Sequence, residues 1–124
     1  MLDTNAVSAW AEGDSALLGV LPKDRPWLLP AIVLGELRFG LRRSRERVIL
    51  ERWLTEVEAV CGVIAVDGET ARHYATVREE LRAAGTPIPE NDVWIAALCR
   101  QYSVPLASRD GHFDHIRGLN RVRW

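Results

Sequence analysis

Apolar and polar positions alternate with two different periods along this chain, and the changes between them outline a series of short elements. Met1–Thr4 predicts a very short strand, Asn5–Glu12 a short helix, and Ser15–Leu21 a second one. Pro22–Pro26 carries loop composition, and Trp27–Leu29 predicts another short strand. Over Ala31–Arg43, the apolar positions Val33, Leu37, Gly40 and Leu41 recur at the spacing of one buried helical face. Arg45–Val60 repeats that pattern through Leu50, Trp53, Leu54 and Val57. Gly62–Val66 is a compact β-branched run that predicts a buried strand. Glu69–Ala84 is helical, with Tyr74, Val77, Leu81 and Ala84 in register and Gly85 as its stop. Pro89–Tyr102 predicts a helix with proline near its first turn, Val104–Ser108 a strand, and Val122–Trp124 a last strand. Strands alternating with helices predict an α/β domain with a mainly parallel sheet. Ligands of such folds gather beyond the carboxyl ends of the strands.

Composition narrows the class without naming the chemistry. The 124 residues suit one domain, 1–124, with a real core. Hydrophobic residues make up 48% and charged residues 27%, the balance of a globular protein. No apolar run approaches the ~20 residues that span a bilayer, and no basic start leads into an apolar block. No membrane association and a cytoplasmic setting are expected. Cys61 and Cys99 fall in separate elements outside any CxxC pair, so they read as small buried hydrophobes. The formal net charge is −1, and Lys23 is the only lysine among 16 basic residues. Arginine pairs bidentately with phosphate and stacks on bases, although coding bias explains such a preference equally well.

Four carboxylates stand where a carboxylate is a poor structural choice. Asp3 and Asp110 follow short apolar runs that predict strands, so both are placed at strand carboxyl ends. Asp92 shares its helical face with Ile95, Ala96 and Cys99, which turns it toward the core side near a helix start. Glu36 lies at the edge of the Val33/Leu37/Gly40 face, where the competing reading is a surface pair with Arg43. Asp3 and Asp110 also have bland readings, as a helix cap and a turn residue. A buried carboxylate is costly unless paired or bound to metal, and four that converge point to a hard divalent cation. Asp67 serves as the control: it also follows a strand, but a helix begins directly after it, so capping explains it. Asp114 stays open between a ligand, a supporting residue and surface. The His112/His115 pair lacks the further N or S ligands of a zinc site, and of the two readings of His112, substrate contact and packing beside Phe113, packing is expected. Trp94 points away from Asp92 and is expected to pack elsewhere or to meet a partner.

These motifs, in this order, resemble the PIN-domain family, and within it the VapC-type ribonuclease toxins of bacterial toxin–antitoxin pairs. Leu2-Asp-Thr-Asn5 resembles the opening metal-ligand motif, and Gly35-Glu-Leu-Arg-Phe-Gly40 the helix of the second acid. Ile88-Pro-Glu-Asn-Asp-Val-Trp-Ile-Ala-Ala97 is the most specific match, and Leu106-Ala-Ser-Arg-Asp-Gly-His-Phe113 resembles the closing motif. The resemblance implies a PIN-like domain, with a short, mainly parallel central sheet flanked by helices on both sides. It implies that Asp3, Glu36, Asp92 and Asp110 form an acidic pocket supported by Asn5, Asn91 and Ser108. It further implies dependence on Mg²⁺ or Mn²⁺, an RNA substrate, a homodimer and a cognate antitoxin.

On that reading, Asp3 and Asp92 hold the metal directly, Asp110 does so directly or through water, and Glu36 orients or deprotonates the attacking water. Hydrolysis would leave a 5′-phosphate and a 3′-hydroxyl. Arg38, Arg42, Arg43 and Arg45, just beyond Glu36, and Arg109 are candidates for RNA backbone contacts, against a solvated helix face. Two features depart from the family pattern. The chain starts only two residues before Asp3, so either the first strand is unusually short or the protein begins earlier. The last acid is the family's most variable position, with Asp110 preferred and Asp114 in reserve. A non-catalytic RNA- or protein-binding module on the same scaffold is the alternative. A phosphoryl-transfer or response-regulator domain ranks last, because such domains need a late active-site lysine and Lys23 lies in an early loop. Nucleotide-binding versions would need a glycine-rich phosphate loop, and neither GxGxxG nor GxxxxGK[ST] occurs.

Overall fold

The computed structural model describes residues 1–24 and 26–124, so the expected loop over 22–26 falls partly outside the described residues. Six α-helices run through the described residues: α1 (Thr4–Ala11), α2 (Ser15–Val20), α3 (Ala31–Leu41), α4 (Arg47–Val60), α5 (Gly68–Ala84) and α6 (Glu90–Tyr102). Among the same described residues, four short strands accompany them: β1 (Leu28–Pro30), β2 (Gly62–Ile64), β3 (Leu106–Ala107) and β4 (Arg121–Val122). β1 pairs with β2 and β3 with β4, both in parallel.

The N-terminal residues join these two pairs into one sheet. Leu2 bridges Ala107 in parallel, the Ala107 amide donates to the Met1 carbonyl at 2.8 Å, and the Leu2 amide donates to the Leu28 carbonyl at 2.9 Å. The spatial order is therefore β2–β1–residue 2–β3–β4. The chain winds outward one way through β1 and β2, then returns to wind the other way through β3 and β4. The reversal falls between Leu2 and β3, and parallel sheets bind ligands at such a switch point, beyond the strands' carboxyl ends. The expected N-terminal strand shrinks to this one bridge, because Thr4 already begins α1.

The core is built around α6. Val93, Ile95, Ala96, Ala97, Leu98 and Cys99 are all buried, so this helix is enclosed along its middle rather than on one stripe. Leu2, Leu29, Leu54, Val77, Leu106 and Phe113 complete the interior. Trp10 makes edge contacts with Trp27 and Trp53, at centroid distances of 4.4 and 5.8 Å. Trp94 instead stacks on Tyr74 at 3.9 Å. Both cysteine thiols are pushed up by burial, to about 11 at Cys61 and about 12 at Cys99, as inert apolar residues would be.

Two expectations about burial fail. The 62–66 run is not a buried strand: β2 pairs only with β1 among the described strands, and Val63 and Val66 stay 46% and 41% exposed. Gly40 is exposed, because α3 is about to end at Leu41 and Leu34 fills the buried face instead. Gly85 ends α5 in the left-handed conformation, φ 68°, as its position predicts. No helix among the described residues is long and apolar enough to cross a membrane.

Leu98 has no exposed surface. Leu98→Ala is expected to lower stability by about 2–5 kcal/mol through lost burial and the cavity left behind, measured by urea denaturation.

Candidate metal site at the strand ends

Asp3 follows the bridging Leu2 and caps α1, its Oδ1 accepting from the Ala6 amide at 2.8 Å. The capping geometry fixes the carboxylate in the crevice between the N-terminal segment and β3. It remains only 4% exposed. Burial is the main reason its carboxyl rises from an ordinary 3.8 to about 6. The Ser108 hydroxyl and the Ala6 amide pull the other way, and the charges of Asp92 and Asp110 add to the rise.

Asp92 enters from the first turn of α6 and is half-buried. Its carboxyl is also raised, first by burial, then by Asp110; His112 opposes the shift and Glu36 adds to it. Pro89 occupies the cap position of α6, and neither Glu90 nor Asn91 supplies a side-chain cap. Asp110 follows β3 and starts the short 3₁₀ helix Gly111–His115, accepting from the His112 amide at 2.8 Å. Asp110 is thus also the turn residue that the sequence allowed. As with Asp3, the structural role and the site position belong to the same side chain.

Glu36 does not pair with Arg43. The Thr4 hydroxyl donates to its Oε2, and the Asn91 amide donates to its Oε1 at 2.6 Å. Each oxygen is thereby held by a neutral donor from the start of α1 or α6. Asn5 ties the two sides of the crevice together: the Arg109 amide donates to its Oδ1 at 2.9 Å, and its Nδ2 reaches the Ser108 hydroxyl at 3.5 Å. The Ser108 hydroxyl in turn accepts from the Asp110 amide at 2.9 Å. Asn5, Asn91 and Ser108 all therefore lie beside the acids that they were expected to support.

Asp67 and Asp114 behave differently. Asp67 forms a capping box with Thr70, accepting from the Thr70 amide at 2.9 Å. Asp114 accepts from Arg121 Nε at 2.8 Å and from Arg123 at 2.6 Å. Both carboxyls fall below the usual range, Asp67 through its hydrogen bonds to Thr70 and Asp114 chiefly through the one to Arg121. Asp114 is thus occupied by arginines. Arg121 also donates to the Ser108 carbonyl at 3.1 Å, so this pair anchors the loop carrying Asp110.

His112 is where the residue-level expectation fails. Rather than simply packing beside Phe113, its Nδ1 lies 3.2 Å from Asp110 and 3.5 Å from Asp92. Ligand atoms of Asp92, Asp110 and His112 all lie within 4.8 Å of one another. The Asp110-Gly-His turn was the available signal, since it returns the residue two positions on toward the carboxylate. Thr4 was missed too, masked by the capping chemistry of Asp-Thr-Asn. Among the arginines, Arg38 pairs with Glu58, while Arg109 pairs with Asp14 at 2.5 Å and stacks over Trp124. Arg42, Arg43 and Arg45 are exposed near the end of α3. An apolar cavity of about 420 Å³ sits against Met1, Leu28, Val104 and Pro105, at the strands' other ends, and the one polar side-chain atom among its described lining residues, the Trp27 indole nitrogen, donates to the Pro22 carbonyl.

The PIN domain family model matches residues 1–119. The chain belongs to the PIN-domain family. Ribonuclease VapC5 of Mycobacterium tuberculosis is 29% identical, over 98% of this chain and 90% of that protein. The VapBC2 complex of Rickettsia felis, solved with a promoter DNA fragment, contains a chain with TM-score 0.89 and 26% identity. That match covers 100% of this chain and 97% of the other. The FitAcB structure of Neisseria gonorrhoeae gives TM-score 0.81 at 28% identity, covering 97% and 94% of the two chains. The PIN fold, with its helices and short parallel sheet, is therefore shared with toxin–antitoxin complexes.

The raised carboxyls set a pH dependence. A buried acid whose value is higher when folded favours folding while protonated, and that contribution is lost as pH rises from about 4 through 6. In chelator, wild-type stability is expected to fall across this window, by up to about 3 kcal/mol from Asp3. Asp3→Asn, which keeps a capping side chain, should flatten most of that slope and be the more stable protein at neutral pH. Urea midpoints at pH 4 to 7 check both.

Proposed function

We propose that this PIN domain is a divalent-metal-dependent endoribonuclease, the VapC-like toxin of a toxin–antitoxin pair. The convergence of Asp3, Asp92 and Asp110 at the switch point of the sheet, with Glu36 mounted beside them, carries the reading. The donor set fits a divalent cation: carboxylate oxygens, those of Asp3 and Asp92 raised first by burial and then by the charge of neighbouring acids. Mg²⁺ is the expected ion, with Mn²⁺ as a substitute. Bound there, it would polarise a phosphodiester and make water a better nucleophile.

The protein's own groups divide the remaining work. Asp3 and Asp92 hold the ion, and Asp110 holds it directly or through water. Glu36, fixed by Thr4 and Asn91, orients water or takes its proton. Asn5 and Ser108 keep Asp110 in register with Asp3. Arg42 and Arg43 are exposed for RNA backbone contact, whereas Arg38 and Arg109 would first have to leave their carboxylate partners. Residues 1–124 act as one nuclease domain on this reading. The named relatives, a ribonuclease and toxin–antitoxin complexes, support an antitoxin partner. A homodimer and a cytoplasmic site of action complete the proposal.

Cleavage of RNA by wild type and Asp92→Asn, each with Mg²⁺ and with EDTA, tests it. Activity is expected only for wild type with Mg²⁺, with a loss on the order of 10²-fold or more in the other arms. Full cleavage by the variant, or by wild type in EDTA, overturns the proposal.

A further inference from the structure

We propose that His112 Nδ1 is a direct ligand of the divalent ion, making this a mixed nitrogen–oxygen site that favours Mn²⁺ over Mg²⁺. The inference rests on the metal-dependent reading above and specifies its ligand set. His112 Nδ1 stands 3.2 Å from an Asp110 oxygen and 3.5 Å from an Asp92 oxygen. A ring N–H donating to a carboxylate is usually shorter, about 2.7–2.9 Å, and one N–H can point at only one of the two acids. The observed spacing instead suits neighbouring ligands of one ion. Bonds of about 2.1 Å at right angles place such ligand atoms about 3 Å apart. The three ligand atoms come from two separate elements, Asp92 from α6 and Asp110 and His112 from the turn that opens the 3₁₀ helix, yet all fall within 4.8 Å of one another.

The ring is also placed for this role. The His112 amide donates to Asp110 Oδ1, so the turn that presents the carboxylate presents the imidazole beside it. The loop is anchored from behind by Asp114 and Arg121. His112 keeps a 48% exposed side chain, so the ring can adjust when an ion enters. Imidazole is a borderline ligand that suits transition metals, whereas Mg²⁺ prefers oxygen and retains water readily. A nitrogen donor therefore shifts preference toward Mn²⁺ without removing Mg²⁺ binding.

Calorimetry with Mn²⁺ and Mg²⁺ alone, at one fixed pH, is combined with pulsed EPR of the Mn²⁺-loaded protein. Wild type, His112→Ala and His112→Asn are compared, with circular dichroism checking the fold. Wild type is expected to show nitrogen coupling to Mn²⁺, and both variants to lose it. His112→Ala should weaken Mn²⁺ binding by at least about tenfold, the lower end of what indirect partners of metal ligands contribute. Mg²⁺ affinity should change far less, so the preference for Mn²⁺ shrinks. Mn²⁺ bound by wild type without nitrogen coupling, or with equal affinity in His112→Ala, overturns the assignment of His112 and leaves the metal-dependent reading standing. Absence of any Mn²⁺ or Mg²⁺ binding overturns both.

Discussion

A carboxylate that the fold forces out of water sits at the centre of this molecule. Asp3 lies between the last residue of the central strand segment and the first turn of α1, 4% exposed. Its position follows from the sheet order. The N-terminal segment is central, β1 and β2 lie to one side, β3 and β4 to the other, and the crevice opens where the winding reverses. One capping amide and one hydroxyl do not offset the cost of burial, and Asp92 and Asp110 add like charge. Such a site is relieved either by protons or by a cation, and the latter makes it useful for binding phosphate.

The remaining elements deliver groups to Asp3 with different degrees of rigidity. α6 is enclosed along its middle, so Asp92 is mounted on the best-packed helix of the chain. Glu36 comes from α3 and is fixed by Thr4 and Asn91. Asp110 and His112 come from a short turn held down by Arg121 and Asp114. Raised carboxyl values separate Asp3 and Asp92 from Asp67 and Asp114, whose values are lowered by donors that satisfy them. A satisfied acid holds structure together, whereas a frustrated acid is available to a ligand.

Much of this was legible from residue order. Helical periodicity located α3 to α6, and the face shared by Asp92 and Ile95 turned that carboxylate inward. Capping logic removed Asp67, and the structure bears that out through its box with Thr70. The failures have physical causes. Strand lengths were overestimated because the sheet segments here are only two or three residues long, too short for periodicity to register. The 62–66 run was expected to be buried, but β-branched composition does not distinguish a central strand from an edge strand. Arg43 was only the competing partner for Glu36 along its own helix, and the partners it has, Thr4 and Asn91, come from elements distant in sequence. His112 was missed because a turn's return direction depends on backbone conformation, which spacing alone does not encode.

The most direct measurement is an anomalous difference map from crystals of the wild-type protein soaked in Mn²⁺. A peak within coordinating distance of the carboxylates of Asp3, Asp92 and Asp110 is predicted. No peak there, or Mn²⁺ bound only at surface carboxylates elsewhere, would contradict the claim that these converging acids are assembled to hold a cation.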